Sequence, residues 1–404
     1  MTHFHKLGAA AALAMAVSVL PGPVSAATTA EKAAMPGMAG MAKKARTELA
    51  SSAAFAADGR LLAVAKQGEH LMLYRSDDQG ASWSAPVIVN AQPEAISGDG
   101  ENRPKIVFAQ DGGVLVSWTK PLGKPNTGEA RLARSDNGGA SFAAPITVHR
   151  DRQEITHRFE AITVGGDGRV YIAWIDKRDL ESARAAQKPY RGAAIYAAVS
   201  EDGGRSFRPE VKVADHSCEC CRITATVDTD GAPLFLWRHV FEPNERDHAL
   251  AKLKTDGTPA SFQRATFDRW RIDGCPHHGP SLAVAPDGTR HAVWFNQKDG
   301  DGRVFYGRLT ANGVDGQRFV GGDKAAHADL VVAERRVAIA WKEFNGETTQ
   351  LHAEVSEDGG VSFKPRVLAA TGGASDQARA IKRGNDLFVF WRTEREGMRV
   401  FELR

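Results

Sequence analysis

The chain has 404 residues, 42% hydrophobic, 25% charged and 8% aromatic, with 52 Lys and Arg against 49 Asp and Glu and a formal net charge of +3. That apolar fraction excludes a disordered chain, and 40 Gly with 18 Pro in no triplet period exclude a collagen-like one. The balanced charge argues against a nucleic-acid partner, which calls for a basic domain or stripe, and four Cys are too few for a disulfide scaffold of this length.

At the start of the chain, Lys6 precedes an uncharged run, Leu7 to Leu20, that Pro21, Gly22 and Pro23 break before Val24-Ser25-Ala26. A charged start, a short apolar stretch and a small-x-Ala end are the pattern of a secretory signal peptide, residues 1–26. The run is shorter than the roughly 20 residues of a membrane helix, and nothing later approaches that length. A periplasmic or secreted protein is expected, with no membrane span after cleavage near Ala26. Residues 27–45 are rich in Ala, Gly and Met and lack strand patterning, which reads as a flexible linker. Met35, Met38 and Met41 crowd there, and thioether sulfur suits Cu(I).

From residue 46 to 404 a single pattern recurs. Strands ending in Trp appear as VLVSW (Trp118), VYIAW (Trp174), PLFLW (Trp237), RHAVW (Trp294), VAIAW (Trp341) and LFVFW (Trp391), at intervals of 56, 63, 57, 47 and 50 residues. A seventh copy, Arg60 to Lys66, lacks the Trp. Short strands repeated at about 54 residues predict an all-β fold, a β-propeller of four-stranded blades. Length alone would suggest two or three domains at about 150 residues each, and the repeat replaces them with one ring. Seven blades are expected, or six if one degenerate unit is an insertion. Residues near 44–50 are expected to supply the outer strand that the last unit lacks and so close the ring.

Four segments inside the repeat read SDDQGASW (Ser76–Trp83), SDNGGASF (Ser135–Phe142), SEDGGRSF (Ser200–Phe207) and SEDGGVSF (Ser356–Phe363). Each suits a tight turn: Asp or Asn bonds nearby backbone, Gly takes positive φ, a Ser hydroxyl closes the loop and an aromatic ring packs inward. The four segments resemble the Asp-box, or BNR repeat, of the sialidase superfamily. The resemblance implies a propeller and little about chemistry, because such turns lie away from that family's active site. It also implies what a sialidase would need: an Arg triad, a Tyr nucleophile paired with Glu, and an Asp acid/base. Arginines are available, but no Tyr follows Tyr306, and Tyr74, Tyr171, Tyr196 and Tyr306 fall on packing strands. By its catalytic residues the chain departs from a true sialidase.

In a propeller the first strand of each blade lines the channel, and the loops leading into it share one face. That mouth receives Arg103, His157, Arg158, Glu160, Asp176, Arg222, Arg238, His327 and Arg379 from several blades, a candidate binding set for a small molecule. Glu160, Asp176 and Glu343 are candidate acids or bases by position alone, and no catalytic residue is assigned. All four Cys fall on the same face. Cys218, Cys220 and Cys221 lead into blade four, and Cys275 with His277 and His278 leads into blade five. Thiolates and imidazoles from adjacent blades suit copper, favoured by the Met-rich linker, or zinc. The expected function is therefore an exported monomer that binds a transition metal for metal handling or redox chemistry. The alternatives are a sialidase-type hydrolase of acidic sugars, and a non-catalytic scaffold whose Cys form structural disulfides. Whether the chain is an enzyme is left open.

Overall fold

The computed structural model describes residues 49–98, 101–274, 276–298 and 300–404. The signal-peptide and linker segments, and Cys275, lie outside the described residues.

Seven antiparallel sheets follow one another along the chain, each wound from an inner strand outward. The seven innermost strands are Ser51–Phe55, Lys105–Phe108, His157–Val164, Thr224–Val227, Ser281–Val284, Ala326–Ala333 and Arg379–Arg383. Each pairs with the strand bearing the recurrent Trp or its equivalent, as in Val170–Asp176 of blade 3, where Ile172 faces Ile162 and Ala198. This is the expected all-β propeller, with seven blades. Six blades have four strands, and blade 7 has three among the described residues: Arg379–Arg383, Asp386–Thr393 and Gly397–Leu403. Of the segment expected to complete blade 7, residues 44–48 lie outside the described residues, and Leu49 and Ala50 form no strand.

Between blades the core is built from second-strand side chains. Trp118, Trp174, Trp237, Trp294, Trp341 and Trp391 are all essentially inaccessible. Burying an indole without a partner for its N–H is costly. Trp118 donates to Glu94, Trp174 to Asp176, Trp294 to Asp268 and Trp341 to Glu343, at 2.7–2.9 Å. Trp391 donates to the Asp376 carbonyl at 3.0 Å, and Trp237 Nε1 has no partner.

The four turn segments form one hydrogen-bond set. In Ser200–Phe207, the Ser200 hydroxyl donates to Asp202 and accepts from Gly204 N–H, while Asp202 accepts from Ser206 N–H and its hydroxyl. Gly204 has φ 91°, and a Cβ there would lie 2.9 Å from Leu115 of the neighbouring blade, so glycine is required twice over.

One element was not anticipated. The helix Arg178–Ala185 interrupts the link between the second and third strands of blade 3, which accounts for the longest Trp interval. Its only buried residue is Leu180, so it leaves almost no apolar periodicity to read. Among the described residues, no helix is long and apolar enough to cross a membrane.

Candidate functional site

Two links between blades are much longer than the others: residues 89–104, into blade 2, and 265–280, into blade 5. The first lies across the ring. Glu101 accepts from Gly279 N–H of the blade 5 link, sits 3.0 Å from His327 Nδ1 of blade 6, and faces Arg222 of blade 4 at 3.5 Å. Two residues on, Arg103 donates to the carbonyls of Gln377 and Ala378 in blade 7 at 2.6 and 3.2 Å. One link thus ties blade 2 to four blades beyond its neighbours.

Beneath it is a cavity of about 50 Å3 lined by Ser52, Glu101, Arg103, Lys105, Arg222 and Arg379, with apolar residues of the inner strands. Its charges are matched locally. Lys105 pairs with Glu160 at 2.8 Å, and Arg379 with Asp329 at 3.1 Å. Burial pushes Arg103 down to about 10 and lowers Lys105, against the pull of Asp376 and Glu160 respectively. Burial acts to raise Asp329, but Arg379, Arg222 and Arg103 hold it below the usual carboxylate range.

The nine residues expected at the mouth therefore divide. Arg103, Arg222 and Arg379 line the cavity, Glu160 holds Lys105, and His327 contacts Glu101. Asp176 is committed to Trp174 and Arg178 within blade 3. His157 stacks on His149 at 3.9 Å, and burial lowers its pKa. Arg158 reaches Asn126 at 3.3 Å and lies over Phe159. Arg238 is buried over Trp270 and donates to the carbonyls of Arg246, His278 and Phe295. None of these last four lines the cavity: Asp176 and Arg238 end the second strands of their blades, and a register shift interrupts the pairing beside His157 and Arg158. Glu343, named by position as an acid or base, instead receives Trp341 Nε1 and Gly322 N–H.

The cysteines and histidines expected to form one metal group separate into two. Cys218, Cys220 and Cys221 lie on the link from Val211–Ser217 to Thr224–Val227 and are buried together. Cys218 Sγ lies 3.3 Å from Cys221 Sγ and 3.8 Å from Cys220 Sγ. No disulfide occurs among the described residues, so the structural-bridge expectation finds no support there. Burial raises the Cys221 thiol well above its ordinary value, while the Arg238 guanidinium pulls the other way. His248 is fully buried beside Arg238 and Cys218, with Nε2 unpartnered and its pKa driven well below normal by burial.

His278 belongs to the second group, with Glu101 and His327. One donor atom from each lies within 4.8 Å of the others. Burial and the adjoining His327 ring push His278 down to about 3, so it is neutral at pH 7. Burial acts to raise Glu101, but Arg222 and the hydrogen bond from His327 hold it at about 2. His277 is exposed and joins neither group. Sequence reading missed Glu101 and Lys105. The available signal for Glu101 was the unusual length of the link that carries it.

No protein-family model matches the chain, and no curated protein does. Among solved structures it resembles an ulvan lyase of polysaccharide lyase family PL25, with TM-score 0.55 and 12% identity over 89% of this chain and 94% of that one. A protein of unknown function from Dyadobacter fermentans gives TM-score 0.51 and 13% identity over 77% and 95%. The GH93 α-L-arabinofuranosidase of Fusarium graminearum gives TM-score 0.52 and 11% identity over 76% and 93%. At these identities the likeness shows a shared fold, the propeller that the turn resemblance implied.

Proposed function

We propose that this chain is an exported propeller that binds a soft transition-metal ion, Cu(I) in preference to Zn(II), through Cys218, Cys220 and Cys221, for metal handling. The observation that carries the reading is the packing of three buried sulfurs, with Cys218 Sγ 3.3 Å from Cys221 Sγ and 3.8 Å from Cys220 Sγ. A tetrahedral ion with metal–sulfur bonds of about 2.3 Å sets its sulfurs about 3.8 Å apart, so the group needs little rearrangement. Thiolate is a soft donor set that selects Cu(I), and the Met35, Met38 and Met41 stretch adds thioethers of the same preference. Export follows from the charged start, apolar run and small-x-Ala end of residues 1–26.

A second reading uses the same atoms. Cys218 and Cys221 stand in a C-x-x-C spacing, and their 3.3 Å approach is near enough for a reversible disulfide after a small closure to about 2.05 Å. The saccharide chemistry of the lyase and arabinofuranosidase neighbours is less well supported. The central cavity of about 50 Å3 is far below the roughly 300–1,000 Å3 of ligand clefts, and no Tyr lines it.

Metal and thiol content of the full chain, exported and purified without oxygen, tests the proposal. About one equivalent of Cu(I), lost in the Cys218→Ser, Cys221→Ser double variant, is expected. Less than about 0.1 equivalent of any metal, with the thiols oxidised, would overturn it in favour of the dithiol reading.

A further inference from the structure

We propose that Glu101, His278 and His327 form a second metal site, of carboxylate–imidazole chemistry, that takes a borderline divalent ion such as Cu(II) or Zn(II). It shares no residue with the thiolate group and does not depend on it.

The three residues come from the links into blades 2 and 5 and from the inner strand of blade 6, and only ring closure brings them together. The Glu101 side chain is 1% exposed, and the two imidazoles stack face to face with centroids 4.3 Å apart and planes 11° from parallel. Phe295 covers the other face of His278 at 4.1 Å. Between these two rings His278 Nδ1 is buried with no hydrogen-bond partner. Such an orphan atom is costly in a finished core and needs an explanation. A ligand ion supplies one, since a metal takes the lone pair that no donor reaches.

The donors are near one another, and an ion requires the His327 ring to tilt out of its stack on His278, because lone pairs in parallel ring planes do not converge. Metal–nitrogen and metal–oxygen bonds of about 2.0–2.2 Å in a tetrahedral set place donors about 3.4 Å apart. The Glu101–His327 pair is at 3.0 Å and must open slightly, while the whole group already lies within 4.8 Å. The carboxylate is held in place: Oε2 accepts from Gly279 N–H, which leaves Oε1 facing His327 and Arg222. Two imidazoles with one carboxylate leave coordination positions open, and the donors are harder than thiolate, so this group prefers the oxidised or d10 divalent ion.

The test uses the full chain, stripped of metal and loaded with one equivalent of Cu(II) in air. The Cys218→Ser, Cys220→Ser, Cys221→Ser variant is expected to retain the ion, with nitrogen hyperfine couplings from imidazole in its electron paramagnetic resonance. In that background His278→Ala with His327→Ala abolishes those couplings, and Glu101→Gln weakens binding by at least about ten-fold. An unchanged spectrum in the double His variant, or no Cu(II) retained by a folded triple Ser variant, would overturn the site. Should the triple variant fail to fold, Zn(II) X-ray absorption of the unsubstituted chain at two equivalents decides. Separate sulfur and nitrogen/oxygen shells support the proposal, and sulfur alone refutes it. Loss of Cu(I) from the thiolates with Cu(II) binding intact would refute the proposed function and leave this site standing.

Discussion

Asn137 takes in one turn the place that Asp78, Asp202 and Asp358 take in the other three, and it bonds Ser135 and Ser141 as they bond their own serines. The Ser141 hydroxyl accepts there, whereas Ser206 donates to Asp202. Geometry, not charge, is therefore what the turn needs at this position. Burial acts to raise Asp202, but the hydroxyls of Ser206 and Ser200 and the amides of Ser206 and Arg205 hold it at about 2, below its ordinary 3.8. A depressed carboxylate stabilises the fold fully above pH 3.8, and that contribution disappears as pH falls through about 2. Asp202→Asn is expected to cost little at pH 7 and to flatten the decline in stability between those two values. Asp202→Ala is expected to cost about 1 kcal/mol at pH 7, since its serine and amide donors lose their acceptor to water. Urea unfolding across that pH window checks both, and an Asn variant as weak as the Ala one would refute the geometric account.

At the scale of the strand, the recurring Trp was the most legible feature, because a β-branched run ending in a large ring marks the buried second strand whatever its neighbours do. The Trp partners were not legible. Asp176 and Glu343 lie two residues beyond their Trp, but Glu94 and Asp268 come from the links before blades 2 and 5, which no local pattern marks. The outer strands of blades 1 and 2 are only Val87–Ile88 and Ile146–Thr147, too short for a period-2 signal. The cysteines declared themselves by rarity, whereas Glu101 sits in an unremarkable polar stretch 226 residues from His327, and only ring closure unites them. Differences among the Trp residues give a test of what the indole N–H contributes. Trp174 donates to buried Asp176, while Trp237 packs against His239 and Phe262 and donates to nothing. Both Phe substitutions lose similar volume, so Trp174→Phe should be the more destabilising by about 1 kcal/mol. Equal shifts in the urea midpoint at unchanged slope would show that these bonds contribute nothing net.

Closing a ring places the burden of the whole molecule on one seam, where residues distant in sequence must meet. Here the seam lies between blades 7 and 1, and its described contacts are polar as well as apolar. Asp376 accepts from Ser51 N–H and Ser51 Oγ at 2.5 and 2.6 Å, and Arg392 donates to the carbonyls of Leu49 and Lys66 at 2.7 and 3.1 Å. Around them, Ala53, Leu61 and Ala63 of blade 1 pack on Ile381, Phe388 and Phe390 of blade 7. Asp376 and Ser51 are buried, so removing the carboxylate strands three donors, the two of Ser51 and Gln377 N–H, away from water and leaves Arg103 with less opposing charge. Asp376→Ala is therefore expected to cost about 2–4 kcal/mol, while Asp376→Asn, which keeps an acceptor, costs less. Asp386→Ala serves as the control, because its pair with Arg383 is half exposed and such pairs contribute about 0–1 kcal/mol. If the apolar contacts alone hold the seam, Asp376→Ala will fall within the range of that control. If the carboxylate is the closing contact, it will exceed the control severalfold, and limited proteolysis will cut first near residue 49 or in the link before Arg379.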